Sequence, residues 1–199
     1  MNGSIEANLS RVKAISPGNT CKSSRDLLED EVFSYAMGIG PDEFRRVLGH
    51  FASGVTVVTT WGADGRPTGL TASAFTSVSL TPPLVLICVD HQAQSYDALR
   101  ASGRFAVNIL AAHQDALSRH FATTQPNKFE HIPFQKGARG LPLLPAALAH
   151  LECRTVHTYP GGDHTIFVGE VEAAAVGEGE PLLYYRGGYN RLRPGGLGS

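Results

Sequence analysis

Residues 70–80 contain the densest run of side chains suited to holding a small polar ligand. As a strand, this run places four hydroxyl groups and one aromatic ring on a single face, because side chains alternate between the two faces of a strand. A solvent-facing strand in which Ser and Thr replace charged residues gives the same pattern. Residues 67–89 contain no Lys, Arg, Asp or Glu, however, which favours a flat heteroaromatic ligand with acceptor atoms and a phosphate tail. The residues of this face are Thr71, Ser73, Phe75, Ser77 and Ser79.

The histidines and cysteines form no recognisable metal or disulfide motif. The eight histidines include no His-Glu-x-x-His pair, and the three cysteines, Cys21, Cys88 and Cys153, include no Cys-x-x-Cys pair. His150 lies close to Cys153, but two ligands cannot close a tetrahedral site. The Gly-x-Ser-x-Gly, P-loop and Gly-x-Gly-x-x-Gly motifs are also missing. We therefore expect no metal ion and no disulfide framework, and we disfavour hydrolase and Rossmann folds.

Helical patterns are few. Pro41 followed by apolar residues at Phe44, Val47, Leu48 and Phe51 predicts a helix with one apolar stripe, since proline is favoured at a helix start. Two further short helices are predicted at residues 95–101, before a C-cap glycine at Gly103, and at residues 114–122.

Strand patterns dominate the rest of the chain. The first two predicted strands flank a Gly-Ala-Asp-Gly turn and predict a hairpin, and the fifth and sixth predict a second hairpin. The third and fourth are continuous apolar runs, which predicts strands buried on both faces. Hairpin-length turns with few helices favour an antiparallel sheet over a doubly wound one, and closure into a barrel would remove exposed edges. The predicted strands are residues 55–60, 69–80, 84–89, 105–110, 148–158, 165–176 and 181–185.

Composition excludes several classes of partner. The 199 residues include 17 Lys and Arg against 18 Asp and Glu, so a net charge of -1 gives no electrostatic reason to bind nucleic acid or an anionic membrane. No apolar run reaches about 18 residues, and no secretory signal is recognisable, so we expect a cytoplasmic protein. We expect an N-terminal extension at residues 1–40, one domain at residues 41–192 and a flexible tail at residues 193–199.

Five segments together resemble the short-chain flavin reductases, which are the reductase components of two-component flavin monooxygenases. The resemblance covers residues 44–192 in the family's order and spacing. It implies a mainly β, antiparallel Greek-key split barrel with a few short helices that forms a homodimer. It also implies an enzyme that oxidises NADH or NADPH and releases reduced FMN or FAD to a separate monooxygenase. The segments are residues 69–79, Pro-Pro-Leu-Val at 82–85, Phe-Ala-Val-Asn-Ile-Leu at 105–110, Gly-Asp-His-Thr-Ile-Phe-Val-Gly-Glu-Val at 162–171 and Pro-Leu-Leu-Tyr-Tyr at 181–185.

The same resemblance implies roles for individual residues. The isoalloxazine ring would be lined by Thr71, Ala72, Ser73 and Ala74, and its wall would continue along Ser77, Val78 and Ser79. The ribityl chain would meet Cys88, Val89 and Asp90, although a buried strand cysteine is usually a small apolar side chain. The phosphate would lie near Ser95 and Lys128, with Lys128 as a solvated surface lysine the alternative. Phe121 would pack beside this region, with Arg119 and His120 facing solvent or phosphate.

His164 is the candidate catalytic residue. Spacing alone favours a turn histidine that is hydrogen-bonded to Asp163, whereas the resemblance places its ring on the nicotinamide side of the flavin. Tyr185, Arg186 and Tyr189 would close over the dinucleotide.

Two other functions stay open at this point. A split-barrel oxidase that retains its flavin and a flavin-binding protein without turnover would share most of these residues. The missing basic cluster for a 2′-phosphate favours NADH over NADPH, while the choice between FAD and FMN is not determined.

Overall fold

The structure is a computed structural model that describes residues 38–192. The predicted extension at residues 1–40 therefore lies almost wholly outside the described residues, as does the tail at residues 193–199. The chain divides into two compact units, Met1–Arg45 and Arg46–Ser199. The predicted first helix is confirmed as α1 (Pro41–Leu48), whose first turn carries Asp42 and Glu43, as the positive end of a helix dipole favours. Phe51 lies beyond its end.

Twelve strands and two more helices follow within the described residues. The helices agree with the sequence prediction, and Gly103 ends the first of them in the left-handed conformation, at φ 62°. These elements are β1 (Ser53–Gly54), β2 (Thr56–Trp61), β3 (Pro67–Ala72), β4 (Phe75–Leu80), β5 (Pro83–Asp90), α2 (Tyr96–Ser102), β6 (Arg104–Ile109), α3 (Asp115–Ala122), β7 (Gln135–Lys136), β8 (Pro142–Leu143), β9 (Ala149–Gly161), β10 (His164–Val176), β11 (Leu183–Tyr185) and β12 (Gly188–Asn190).

Seven strands form one antiparallel sheet in the order β3-β2-β6-β9-β10-β5-β4. This confirms the mainly β, antiparallel fold class and both predicted hairpins, β2–β3 and β9–β10. The two edge strands, β3 and β4, are consecutive in the chain. Smaller sheets are formed by β1-β11-β12 and β7-β8. Most of the strands that are too short to be predicted from the sequence lie in these two smaller sheets.

The prediction of one strand through residues 69–80 is wrong. The chain bends at Ser73 and Ala74, and the Phe75 N–H donates to the Ser73 carbonyl at 2.9 Å. The bend resets the alternation of side chains, so Phe75 packs on the same core cluster as Ala72 instead of sharing a face with Thr71 and Ser73. A second irregularity follows at Val78, where the register of β4 against β5 shifts between Ser77 and Ser79.

The prediction that residues 84–89 are buried on both faces is also wrong. Along β5, Val85, Ile87 and Val89 are buried, whereas Leu84, Leu86 and Cys88 are only partly buried. Only the inner face of this strand is covered by the core. By contrast β6, in the interior of the sheet, is buried on both faces, as predicted.

The core is formed by the inner faces of the large sheet. Its largest fully buried side chains include Phe105, Ile87 and Phe167, with α2 contributing Leu99. No helix within residues 38–192 is long and apolar enough to cross a membrane.

Candidate functional site

A cavity of about 270 Å³ lies among β3, α3 and the C-terminal strands β11 and β12. Three of its lining residues carry aliphatic hydroxyls and two carry phenol rings, so polar atoms converge on a partly apolar pocket. Pockets of this composition bind flat ligands with a few acceptor atoms. We call it the hydroxyl cavity, and its lining residues are Val55, Thr71, Ser73, Ser118, Ala122, Tyr184 and Tyr189.

Hydrogen bonds fix the walls of the hydroxyl cavity. The Thr71 hydroxyl donates to the Ser118 carbonyl at 2.6 Å, which ties β3 to α3. The Ser118 hydroxyl lies 2.7 Å from the Tyr189 hydroxyl, which ties α3 to β12. The ring of Tyr184 meets that of Tyr189 edge to face, with centroids 5.5 Å apart. Neighbouring elements therefore orient four of the wall residues before any ligand is bound: Thr71, Ser118, Tyr184 and Tyr189.

The bend at Ser73 and Ala74 adds backbone donors next to this cavity. The Ala74 carbonyl accepts from the Cys88 N–H at 3.1 Å, which anchors the bend to β5. Within the described residues, the N–H groups of Ser73 and Ala74 have no hydrogen-bond partner. Both residues are exposed, so two free donors flank the Ser73 side chain.

The other residues expected around the ring lie elsewhere. Ala72 is buried in the core, and its side chain does not face the cavity. Ser77, Val78 and Ser79 follow the bend on β4, where Ser77 and Val78 are exposed. Ser79 accepts from the Thr81 N–H at 3.2 Å. None of these residues lines the hydroxyl cavity.

His164 begins β10 directly opposite Asp90 on β5. Its Nδ1 lies 2.7 Å from Asp163 Oδ1, and this hydrogen bond holds the pKa of the Asp163 carboxyl below its ordinary value. An ionised carboxylate only accepts hydrogen bonds, so Nδ1 carries a proton that it donates to Asp163. The Asp163 contact expected from spacing is therefore present, and it leaves Nε2 available to a ligand.

His91, which the sequence pattern does not single out, braces this strand start. The His91 N–H donates to the Asp163 carbonyl at 3.1 Å, and its Nε2 lies 3.0 Å from the Thr165 hydroxyl. The Tyr96 hydroxyl lies 2.9 Å from the same Thr165 oxygen. His91 thus contacts the residues on both sides of His164. His91 reaches this position only because β5 pairs with β10, which is distant in the sequence. The residues around His91 therefore do not indicate its role.

Cys88, Val89 and Asp90 lead up to this position. Val89 is fully buried, so only its backbone could meet a ligand. Burial raises the pKa of the half-buried Cys88 thiol, which keeps it protonated. Asp90 Oδ1 accepts from the Gln92 N–H at 2.8 Å and caps the turn that leads to α2.

Residues 48–193 match the family described as flavin reductase like domain. The chain belongs to this flavin reductase-like family. It is 46% identical over 152 residues to the reductase component of a 4-nitrophenol 4-monooxygenase/4-nitrocatechol 2-monooxygenase from Rhodococcus opacus, covering 76% of this chain and 81% of that protein. It is also 46% identical over 158 residues to an NADH-dependent FAD reductase from Streptomyces globisporus, covering 76% and 86%.

Solved structures agree with this assignment. An NADH:FAD oxidoreductase from Streptomyces globisporus C-1027, in complex with NAD and FAD fragments, superposes with a TM-score of 0.74 at 44% identity. That comparison covers 80% of this chain and 98% of the other. The flavin reductase component of a bacterial two-component tryptophan halogenase superposes with a TM-score of 0.71 at 38% identity, covering 77% and 98%.

In this flavin reductase-like chain, Lys128 is buried, not solvated at the surface. Its Nζ donates to the carbonyls of Phe121, at 2.9 Å, and Gly69, at 3.3 Å, and burial lowers the pKa of the ammonium group. Gly69 itself is required by the close approach of β2, because a Cβ there would lie 2.6 Å from the Val58 carbonyl oxygen.

Lys128 also lines a second cavity of about 270 Å³, together with Arg66 and Thr68. Nearby, the buried Ser95 hydroxyl donates to the Gly69 carbonyl at 2.9 Å and lies 3.0 Å from the Thr68 hydroxyl. Its side chain is therefore engaged within the protein. Phe121 is fully buried in a second core cluster with Val57, as expected of a packing residue.

The predicted site residues fall into three groups in this flavin reductase-like fold. Thr71, Ser73 and Tyr189 share the hydroxyl cavity, Cys88 and Asp90 accompany His164, and Lys128 and Ser95 both donate to the Gly69 carbonyl. Two further predicted residues lie on the β11–β12 turn and do not line the hydroxyl cavity. There the Tyr185 and His50 rings meet edge to face, with centroids 6.3 Å apart. The Arg186 N–H donates to the Gly49 carbonyl at 2.8 Å.

Four residues that line the hydroxyl cavity were not predicted from the sequence, and two of them, Ser118 and Tyr184, carry hydroxyl groups. Ser118 is a buried polar residue on an amphipathic helix, and a hydroxyl on the apolar face of α3 is the signal that could have found it. Tyr184 adjoins the predicted Tyr185, so an error of one residue in the strand phase was enough to miss it.

Proposed function

We propose that this chain is an NADH-dependent flavin reductase that supplies reduced flavin to a partner monooxygenase. The observation that carries the proposal is the hydroxyl cavity, with the free N–H groups of Ser73 and Ala74 beside it, in a member of the flavin reductase-like family. Relatives named as reductase components of monooxygenases and as NADH-dependent reductases support both the reaction and the partner.

The residues around the bend fit an isoalloxazine ring. The ring edge carries carbonyl oxygens and nitrogens, which need donors, and the Ser73 and Ala74 N–H groups together with the Ser73 hydroxyl supply them. The small Ala74 side chain lets a flat ring approach the backbone. The phenol rings of Tyr184 and Tyr189 offer apolar faces on the opposite wall.

Bound flavin supplies the redox chemistry by accepting a hydride from the nicotinamide of NADH. The chain's task is to position two flat rings and exclude water from between them. Donors at the bend would stabilise the negative charge that the flavin gains. His164 Nε2 would accept a hydrogen bond from the carboxamide of the nicotinamide, and the Asp163 carboxylate would hold the imidazole in the tautomer that makes this possible.

The phosphate end of the flavin would lie in the second cavity, where Lys128 provides positive charge and Arg66 is paired with Asp64 at 3.1 Å. Thr68 lines that cavity and Thr71 lines the first, so the two lie about 10 Å apart along β3 at the usual rise of a strand. Side chains three residues apart point to opposite faces of a strand, so one ligand with its ring in the first cavity and its phosphate in the second would pass over the free edge of β3.

We also propose that the sheet closes into a split barrel and that the protein is a homodimer. The consecutive edge strands β3 and β4 support closure. The edge strand β4 carries exposed apolar side chains at Val78 and Leu80, which supports a partner surface. Residues 41–192 would form the catalytic domain, in accord with the family match at residues 48–193, and the cytoplasmic location stays a prediction.

The test is NADH consumption by the purified protein, with flavin and NADH added separately and together. The proposal predicts NADH oxidation only when free FMN or FAD is supplied. Oxidation of an amine substrate by retained flavin would instead identify an oxidase. Flavin binding with no NADH oxidation would identify a binding protein.

A further inference from the structure

Arg119 is an oriented cation beside the hydroxyl cavity. Its guanidinium carbon lies 4.7 Å from the ring centroid of Tyr189, which forms one wall of that cavity. The Tyr189 ring is itself fixed by the Ser118 hydroxyl and by edge contact with Tyr184. A guanidinium stacked on a fixed aromatic face has its N–H donors in its own plane, so they point outward past the edge of the ring.

These donors have no partner in the part of the chain that the structure describes. Arg119 forms no salt bridge and no hydrogen bond there. Three other arginines are paired, since Arg104, Arg139 and Arg154 all contact the Glu172 carboxylate. An arginine that is positioned by stacking and left without an anion has the geometry that phosphate recognition uses.

We propose that Arg119 binds a phosphate group of the pyridine dinucleotide when the nicotinamide stacks in the site. The proposal rests on the proposed function. The flavin phosphate has its own cation, Lys128, in the second cavity, whereas Arg119 lies against Tyr189, on the wall formed by the C-terminal strands. The two phosphate-bearing ligands would therefore use different cations.

The experiment measures binding in the absence of turnover. NAD⁺ and nicotinamide riboside, which has no phosphate, are titrated by calorimetry into full-length protein saturated with oxidised FMN. FMN and riboflavin are titrated separately into the flavin-free protein by fluorescence. The variants are Arg119→Ala and Arg119→Lys. The matched control is Arg100→Ala, which removes another arginine stacked on a tyrosine, 5.8 Å from the Tyr96 centroid, that does not line the hydroxyl cavity.

Arg119→Ala is expected to weaken NAD⁺ binding about tenfold, as loss of a charge-assisted hydrogen bond does, and Arg119→Lys to restore part of it. Nicotinamide riboside, FMN and riboflavin affinities should not change. Added salt should reduce the difference in NAD⁺ affinity between the wild type and Arg119→Ala, because salt screens the attraction between the guanidinium and the phosphate. Arg100→Ala should bind NAD⁺ like wild type.

Other results overturn the assignment. Equal NAD⁺ affinities in Arg119→Ala and wild type would refute it, and a lower melting temperature with unchanged affinity would make Arg119 a stabiliser of the end of α3. Weaker FMN binding with unchanged riboflavin binding would give Arg119 to the flavin phosphate. Wild-type protein that binds neither FMN nor NAD⁺ would refute the proposed function itself.

Discussion

At the scale of single residues, His164 combines a fixed orientation with a free nitrogen. Asp163 holds Nδ1, and the His91 N–H holds the Asp163 carbonyl, so the imidazole is braced from its own turn and from the turn that follows β5. A histidine that served only this turn would affect stability when removed. One that borders the nicotinamide would affect the kinetics of NADH.

We predict that His164→Ala raises KM for NADH or lowers kcat at saturating flavin, while flavin affinity and Tm stay near the wild-type values. The expected loss is about 1 to 3 kcal/mol of transition-state stabilisation, the usual effect of one missing positioning hydrogen bond. Steady-state kinetics and a thermal melt of the same variant measure this. His157→Ala, at an exposed position on β9, is the matched control and should behave as wild type. A destabilised His164→Ala with unchanged NADH kinetics would show a structural role.

The individual site residues could be predicted only where local pattern was sufficient. Alternation and the uncharged interval identified Thr71 and Ser73, which do share a cavity. Ala72 was expected to face the ring and is buried, because alternation on β3 turns it inward. The burial of Lys128 could not be predicted from the sequence. It depends on two carbonyl groups, that of Gly69 on the distant strand β3 and that of Phe121 on α3.

At the scale of elements, most strands and helices followed from periodicity and turn residues. The β9–β10 hairpin and the buried β6 are examples. The bend that separates β3 from β4 could not be predicted, because small residues continue through it without a glycine or proline. Burial on one face of β5 also escaped prediction, since a continuous apolar run does not reveal what covers each face.

Packing between elements is tight at Gly169 on β10. A methyl group there would lie 2.5 Å from Phe105 Cζ and 2.9 Å from Cys153 Cβ. We predict that Gly169→Ala lowers the free energy of unfolding by about 1 to 3 kcal/mol, as overpacking of a dense core does. Gly54→Ala, whose Cβ would meet nothing within 4 Å, should change stability far less. Denaturant unfolding compares the two, and equal stabilities would contradict the packing described.

At the scale of the whole molecule, the exposed end of β4 is the clearest candidate for contact with a second copy. Leu80 is 92% exposed on an edge strand, an arrangement that isolated monomers tend to avoid. The flavin reductase-like family assignment predicts the fold from the sequence, whereas association between chains depends on surfaces that periodicity does not describe.

We predict that light scattering gives a mass about twice that of the 21.2 kDa chain. Leu80→Asp should shift the protein toward monomer, because it places a charge in an apolar interface. Val176→Asp, at a position 86% exposed, is the matched control and should leave the mass unchanged. A monomeric wild-type protein that still reduces flavin would contradict this proposal.

The most direct test of the central claim, that the hydroxyl cavity holds the flavin ring, is a fluorescence titration of Ser73→Leu with FMN and FAD. Leucine at this position fills the cavity without entering the core, so flavin affinity should fall at least about tenfold while Tm is retained. Thr158→Leu, an exposed strand position on β9 outside this cavity, should bind flavin as wild type does. Wild-type flavin affinity in a folded Ser73→Leu would contradict the account, because the flavin ring would then bind outside the hydroxyl cavity.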